Sequence, residues 1–156
     1  MKAGAERAKS LRLSALFFTL LRIFLGLLFL LAGTHKASDP GNFLVAIRSF
    51  EVLADPWAPL VALCLPWLEI LTGFCLIIHR CYHAALLLAG GLLTLFLPAI
   101  LYAWARGLQI ECGCFGPGSA TTDPLYLLTR DLALLLGIAS LAWHALYNDS
   151  DRTAAA

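Results

Sequence analysis

Cys112 and Cys114 are the residues of this sequence best suited to chemistry, because only here do two cysteines stand one residue apart. Two thiols at this spacing can close a disulfide, and Gly113 between them relieves crowding in the small ring. Strain in such a ring raises the reduction potential of the bond, which suits exchange better than permanent cross-linking. The spacing therefore predicts a redox-active thiol–disulfide pair.

Three other roles for the pair stay open at this point. The two thiolates could form half of a soft metal site for Cu(I) or Zn²⁺, with His35 and Cys64 approaching as further ligands. The pair could be a purely structural disulfide, or two unpaired small apolar side chains. Redox exchange is favoured over each of these, and the sequence shows no complete set of metal ligands.

The composition indicates lipid as the solvent of this chain. Of its 156 residues, 60% are hydrophobic and only 13% are charged, whereas soluble domains average about 45–50% apolar and about 25% charged residues. So few charges cannot cover a surface that faces water. The net charge of +1 gives no basic field for a nucleic-acid partner, so we expect a lipid bilayer as the partner and no nucleic acid.

Four apolar runs are long enough to cross a bilayer, since about 20 helical residues span its hydrocarbon core. The predicted spans are residues 14–33, 58–78, 84–105 and 125–147. The first run is longer than the apolar region of a signal peptide, so we interpret it as a retained span. The sequence predicts an all-α membrane protein: a single four-transmembrane-helix bundle over 1–147, followed by a short polar tail at 148–156.

A short amphipathic helix is predicted between the first and second spans. Asp39 is a suitable N-cap, and Pro40 suits the first helical position. Apolar residues then recur at helical spacing at Phe43, Ala46, Ile47, Phe50 and Leu53. The segment is too short and too polar to span, so we expect it to lie along the membrane interface, with an ordinary surface loop as the alternative.

The distribution of basic residues predicts the orientation of the spans. One side carries six of them: Lys2, Arg7, Lys9, Arg12, Arg80 and Arg152. The other side carries three: Lys36, Arg48 and Arg106. Basic residues favour the cytoplasmic side, so both termini are expected to be cytoplasmic. The Cys112–Cys114 loop would then be extracytoplasmic, where disulfides persist.

Charged residues also interrupt the apolar runs, at a cost of about 2.5–3.5 kcal/mol each near mid-bilayer. At about 1.5 Å per residue, Arg22 lies about 12 Å from the cytoplasmic end of the first span. Glu69 lies roughly 14 Å from the cytoplasmic end of the second. Because a buried charge usually has a partner, these depths predict an ion pair between Arg22 and Glu69.

Three cations are expected near the thiols, where they would favour the reactive thiolate. Arg130, followed by Asp131, lies only about 8–10 Å from the outer end of the fourth span, and Lys36 and Arg106 belong to the same side. Cys64, in the outer third of the second span, has a depth that would let it reach the loop, although a lone cysteine is more often a small apolar filler.

Motifs spread from about Leu16 to Tyr147 carry a family resemblance. They are Arg22, Leu25-Gly26, Gly33-Thr34-His35-Lys36, Asp39, Phe43, Leu65-Pro66-Trp67-Leu68-Glu69-Ile70, Gly73, Arg106-Gly107-Leu108, Cys112-Gly113-Cys114-Phe115-Gly116 and Arg130-Asp131. Together they resemble the MauE/DoxX family of redox-associated membrane proteins, and the MauE branch more than DoxX itself. The loop in that branch often begins with Asp, where this chain has Glu111.

The resemblance implies a four-helix protein of the bacterial inner (cell) membrane. Proteins of the MauE branch are associated with maturation of a disulfide-rich periplasmic enzyme, alongside a thioredoxin-like partner. DoxX relatives are associated with sulfur or thiol oxidation and with quinones. A membrane quinone is therefore expected as a cofactor by analogy alone, since no sequence motif indicates one.

We therefore expect a membrane thiol–disulfide oxidoreductase that exchanges disulfides with an extracytoplasmic thioredoxin-like or disulfide-containing protein. Its catalytic residues would be Cys112 and Cys114. The supporting residues would be Arg130, Lys36, Glu69, Arg22 and Cys64. One alternative is a non-catalytic assembly factor for a periplasmic redox protein or metalloprotein. The other is a small thiolate-based protein for metal handling or transport. The sequence leaves open whether the chain is itself an enzyme.

Overall fold

The computed structural model describes residues 2–53, 55–107 and 124–154, with side chains over 13–53, 55–107 and 125–147. The described residues form helices and no strands. The helices are α1 (Lys2–Ser38), α2 (Pro40–Ser49), α3 (Trp57–Ile78), α4 (Tyr82–Ala105) and α5 (Pro124–Ala154).

Four of these helices contain segments long and apolar enough to cross a membrane. The segments are Leu13–Ser38, Trp57–Ile78, Tyr82–Ala105 and Leu125–Tyr147. Large apolar side chains such as Phe24, Leu71 and Leu95 point outward, as expected where lipid covers the surface. The all-α fold with four membrane-spanning helices is therefore confirmed, and the chain is a multi-pass membrane protein.

Two helices extend beyond the apolar runs that predicted them. Helix α1 continues past Gly33 to Ser38, which places Lys36 in its last turn. Helix α5 continues to Ala154, so most of the polar tail prolongs the helix.

The short amphipathic helix forms as the sequence predicts. The carboxylate of Asp39 accepts a hydrogen bond from the Asn42 backbone N–H at 3.1 Å, and Pro40 opens the helix. Because the cap satisfies a donor that the first turn leaves unpaired, it fixes where α2 begins. Helix α2 ends at Ser49, so Leu53 lies beyond it. Its buried residues are Phe43, Ala46 and Ile47.

Glycines allow α1 and α3 to pack in close antiparallel contact. A Cβ atom added to Gly73 would lie 2.6 Å from the carbonyl oxygen of Gly26. A Cβ added to Gly33 would lie 2.8 Å from the carbonyl oxygen of Pro66. Small residues at such positions let two membrane helices approach until their backbones touch. This contact fixes the register of α1 against α3.

The bundle has two distinct ends. At the first, which we call the α2 end, Phe50 of the α2 C-cap packs on a cluster of Ile100 and Ala103 from α4 and Leu127 from α5. At the other, the turn end, α3 and α4 are joined by the turn His79–Cys81. Residues 108–123, with Cys112 and Cys114, lie outside the described residues. The C-terminus of α4 and the N-terminus of α5, which flank these residues in sequence, are both at the α2 end of the bundle.

We predict that Gly73→Ala destabilises the bundle by about 1–3 kcal/mol, because the new methyl group would overlap the α1 backbone. The matched control is Gly91→Ala on α4, where an added Cβ meets no atom within 4 Å. That variant should be neutral or stabilising, since alanine favours a helix over glycine by up to about 1 kcal/mol. Thermal unfolding in detergent micelles measures both. Equal effects of the two substitutions would contradict the close α1–α3 contact.

Candidate functional site

A buried ion pair joins α1 to α3. The ammonium group of Lys36 donates a hydrogen bond to Oε1 of Glu69, and the two residues are only 4% and 5% exposed. Lys36 belongs to the last turn of α1, and Glu69 to the middle of α3. Because side chains on a helix lean toward its N-terminus, the long lysine stem extends back into the bundle and reaches Glu69.

Two aromatic rings enclose the ammonium group of this pair. The ring centroids of Phe43, from α2, and Phe96, from α4, each lie 5.4 Å from Nζ of Lys36. Such rings stabilise a cation electrostatically while excluding water. The pair is therefore a desolvated contact to which α1, α2, α3 and α4 all contribute. Spacing and composition gave no signal for these rings, since each belongs to an ordinary apolar run.

A second ion pair lies within α5. Nε and Nη2 of Arg130 donate to Oδ1 of Asp131 at 2.9 and 2.8 Å. The Asp131 side chain is 4% exposed and that of Arg130 24% exposed. The guanidinium therefore satisfies a buried carboxylate from the more open side of the same helix, which is how a charge is kept inside an apolar span.

The two pairs lie at similar depth in the bundle. Helices α4 and α5 run antiparallel, since Gly90 faces Ile138 and Ile100 packs on Leu127. Counting inward from these contacts places Asp131 level with Phe96. Phe96 in turn covers the ammonium group of the first pair. We call the four residues of the two pairs the charged layer: Lys36, Glu69, Arg130 and Asp131.

The predicted ion pair between Arg22 and Glu69 is wrong. The α1–α3 register sets Gly26 against Gly73. Arg22 lies four residues from this contact in one direction and Glu69 four residues in the other, which separates them by about 12 Å along the bundle. The salt bridges among the described side chains pair Glu69 with Lys36 instead.

Arg22 lies close to the turn end of the bundle. Its charge acts on His79 and Tyr82, whose rings stack with centroids 4.7 Å apart. Its Nη1 atom is buried and has no hydrogen-bond partner. Depth counted along α1 failed for Arg22 because α1 extends well past the turn between α3 and α4. The count assumed that all apolar runs begin at the same level along the bundle axis, but they begin at different levels.

The described members of the predicted site do not come together: Lys36 and Glu69 lie inside the bundle, and Cys64 lies on its outer surface. Cys112 and Cys114 lie outside the described residues, so their predicted chemistry stays a prediction. Cys64 is exposed on α3, and is therefore not a buried filler. Lys36 is engaged with Glu69 inside the bundle, which argues against its predicted role as a charge beside the thiols.

Among the cations of the described residues, Arg106 is the nearest in sequence to the thiols. It is exposed at the C-cap of α4, where its guanidinium donates to the Tyr102 hydroxyl at 2.9 and 3.1 Å. Gly107 follows with φ +66°, a left-handed conformation that ends a helix readily because glycine has no Cβ. Arg106 thus marks the point where the chain leaves α4 for the cysteine loop.

No group of three or more His, Cys, Asp or Glu residues able to hold a metal ion occurs among 2–53, 55–107 and 124–154. The charged layer holds two acids, each already engaged by a cation. Within the described range, its chemistry is that of ion pairing inside an apolar bundle.

Comparison with known proteins identifies the family. The profile described as methylamine utilisation protein MauE matches residues 14–144. The chain belongs to the MauE family. The match runs from the first span into the fourth and includes both ion pairs and the two cysteines of the loop, so the sequence resemblance to the MauE branch is confirmed.

Two relatives of this MauE-family chain are each named methylamine utilization protein MauE. The protein from Paracoccus denitrificans is 37% identical over 124 residues, covering 77% of this chain and 67% of that protein. The protein from Methylorubrum extorquens is 36% identical over 126 residues, covering 80% of this chain and 68% of that protein. No solved structure matches the chain significantly.

We predict that replacing one partner of the Lys36–Glu69 pair lowers the free energy of unfolding more than replacing both partners does. Lys36→Met leaves a buried carboxylate without its cation, and should destabilise this MauE-family protein by about 3–5 kcal/mol. The double variant Lys36→Met, Glu69→Leu should recover most of that loss, because two apolar side chains need no desolvation of charge. Unfolding of the single and double variants in detergent micelles measures both effects.

The matched control for this cycle is Arg48→Gln. Arg48 pairs with Asp55 at 3.1 Å, but their side chains are 51% and 63% exposed. Exposed pairs contribute at most about 1 kcal/mol. A Lys36→Met effect as small as that of the control would contradict the desolvated environment assigned to Lys36.

A third prediction concerns His79, which lies in the turn between α3 and α4. Partial burial and the charge of Arg22 lower the pKa of His79 below its ordinary value. As pH falls, His79 therefore becomes protonated at a higher pH in the unfolded chain than in the folded protein. The contribution of His79 to stability is fully present above about pH 6.5 and declines below it.

Nuclear magnetic resonance titration of His79 in lipid-free micelles measures this shift. Arg22→Gln should raise the pKa of His79 toward its ordinary value, because a nearby positive charge no longer opposes protonation. Arg48→Gln, with α2 at the opposite end of the bundle, should leave it unchanged. An unaltered pKa in Arg22→Gln would show that the guanidinium is too distant to act.

Proposed function

We propose that this MauE-family protein is a membrane thiol–disulfide oxidoreductase of redox-associated maturation, acting through Cys112 and Cys114. The observation that carries the proposal is the position of the helix ends that flank the pair. Gly107 and Pro124 both belong to the α2 end. This supports the proposal that a soluble partner meets the two thiols at this end of the bundle.

The proposed chemistry is disulfide exchange with an extracytoplasmic thioredoxin-like or disulfide-containing protein. A thiolate of one protein attacks a sulfur of the disulfide in the other and forms a mixed disulfide, releasing one thiolate. The second cysteine of the attacking pair then displaces the partner, so that one pair is oxidised and the other reduced by two electrons. Arg106, at the start of the loop, is the described cation that can best favour the thiolate.

A membrane quinone is the proposed electron carrier for the pair. Reduction of a quinone takes two electrons and two protons, which matches one dithiol. The support is the family resemblance together with a bundle that presents apolar surface to lipid and holds charged pairs within it. The Lys36–Glu69 pair would then hold α1 and α3 in register, since its two charges engage each other inside the bundle.

The proposed orientation has both termini in the cytoplasm and the cysteine loop outside. The six-to-three distribution of basic residues supports it through the preference of such residues for the cytoplasmic side. The names of the two relatives support a place in methylamine utilisation. We propose maturation of a disulfide-containing extracytoplasmic protein as the step in which the chain takes part.

A second candidate is a non-catalytic assembly factor, in which the loop only docks a partner. The observation that favours it is that each acid of the charged layer is engaged by a neighbouring cation. Such pairs stabilise a scaffold without any electron path. The variant Cys112→Ser, Cys114→Ser separates the candidates, because an assembly factor would keep its full biological function.

We predict that Cys112 and Cys114 titrate as one redox pair on the outer side of the membrane. In a variant that retains only these two cysteines, a membrane-impermeant maleimide should label intact cells after reduction and fail to do so after oxidation. The midpoint reduction potential of the pair should lie above about −300 mV, the upper bound typical of structural disulfides, because a ring of this size is expected to be strained.

The control for this labelling is a variant that retains only Cys81. Cys81 is exposed in the turn between α3 and α4, at the end of the bundle opposite the loop. It should react only after the cytoplasmic face is opened. Labelling of Cys81 from outside would reverse the orientation. Two thiols that stay free and inert across the full range of thiol buffers would rule out redox exchange.

A further inference from the structure

Arg22 is a cation on the inward face of α1, inside the span Leu13–Ser38. Phe29 and Lys36 follow it at intervals of seven residues, so the three side chains share one side of the helix. Phe29 and Lys36 are only 7% and 4% exposed, which places this side against the rest of the bundle. The guanidinium of Arg22 is therefore directed into the bundle and away from lipid.

The contacts on either side of Arg22 along α1 agree with this direction. Phe18, four residues before it, stacks on His144 of α5 with the ring centroids 4.0 Å apart. Gly26, four residues after it, meets Gly73 of α3. Side chains four residues apart form one ridge of a helix, so Arg22 lies on the ridge that packs against α5 at one point and against α3 at the next.

The carboxylates of the described side chains leave Arg22 without a counter-ion. Its Nη1 atom is buried and has no hydrogen-bond partner, and the salt bridges found within 13–53, 55–107 and 125–147 do not include it. A charge directed into an apolar bundle is costly unless another group compensates it. The carboxylates in those ranges all belong to the α2 end or to the charged layer: Asp39, Glu51, Asp55, Glu69 and Asp131.

The turn end carries basic groups instead. His79 and Arg80 belong to the turn His79–Cys81, and His83 belongs to the first turn of α4. Burial lowers the pKa of His79, and the charges of Arg22 and His83 lower it further. Because His79 is exposed, the charge of Arg22 reaches a group that solvent also reaches. Several charges of one sign raise the local concentration of the opposite ion.

We propose that Arg22 binds a small oxyanion, a carboxylate or phosphate group, inside the turn end of the bundle. The planar guanidinium presents parallel N–H donors that match two oxygens of such a group, and Nη1 is a donor that the described contacts leave available. The ring of His79 and the hydroxyl of Tyr82 provide further polar groups around the same charge. The site is independent of the cysteine pair and of the proposed redox function.

The oxyanion is a free solute that enters past the turn. The apolar side chains of α1 that face lipid near this level, Leu20 and Phe24, are 58% and 57% exposed. They lie on the side of the helix opposite Arg22. A ligand covering them would therefore not meet the guanidinium, whereas a small solute needs only the polar groups of the turn end.

The direct test is a nuclear magnetic resonance titration of His79 in the purified, delipidated full chain in uncharged detergent micelles. Sulfate replaces chloride at constant ionic strength, so that screening by salt stays unchanged. The pKa of His79 should rise and then saturate with sulfate, because a bound anion offsets the charge of Arg22. The control Arg48→Gln, at the opposite end of the bundle, should respond like the native protein, and Arg22→Gln should not respond.

A native His79 pKa that is insensitive to sulfate overturns the proposal. An equal rise in Arg22→Gln also overturns it, since the anion would then act on His79 without Arg22. Phosphatidylglycerol that raises the pKa where sulfate has no effect would assign the counter-charge to a lipid headgroup, and would overturn the free-solute site.

A second measurement does not depend on the folding of Arg22→Gln. Equilibrium dialysis of the native protein with radiolabelled sulfate should show one saturable site per chain, from which acetate displaces the label. Arg22→Lys should bind sulfate about tenfold more weakly, because lysine keeps the charge but loses the planar donors. Binding that does not saturate, or equal affinity of Arg22→Lys and the native protein, overturns the proposal.

Discussion

The ion pair of Lys36 and Glu69 is the constraint on which the arrangement of this bundle depends. Neither charge can stay in an apolar span alone, and each is almost completely buried, so α1 and α3 are held in the one register that lets them meet. The enclosing rings of Phe43 and Phe96 extend the same constraint to α2 and α4. Desolvation offsets much of the attraction in a buried pair, so its net contribution to stability is small although breaking it is costly.

The glycine contact between α1 and α3 and the ion pair reinforce each other. Backbone contact at Gly26 and Gly73 brings the helices close enough for the lysine stem to reach across. The pair joins the last turn of α1 to the middle of α3, below the helix termini that flank the cysteine loop. The helix ends at Gly107 and Pro124, which flank the cysteine loop, belong to this fixed frame.

The sequence was sufficient for the number of spans, the N-cap of α2 and the family, because apolar run length and capping chemistry are local properties. It was insufficient for the partners of the buried charges. Counting depth from the ends of apolar runs paired Arg22 with Glu69, and it excluded Lys36 from the first span. The uninterrupted helix-compatible stretch from Gly33 to Ser38 could have placed Lys36 in α1, but its reach to Glu69 depends on tertiary register.

We propose that the bundle holds Cys112 and Cys114 for covalent exchange with a protein outside the membrane. The most direct measurement is to trap a mixed disulfide in cells that carry Cys112→Ser or Cys114→Ser, and to identify the attached protein. We expect a reductant-sensitive adduct with an extracytoplasmic thioredoxin-like or disulfide-containing protein in one single variant, and none in the double variant. The contrary result is that neither single variant forms an adduct while both are stably inserted in the membrane.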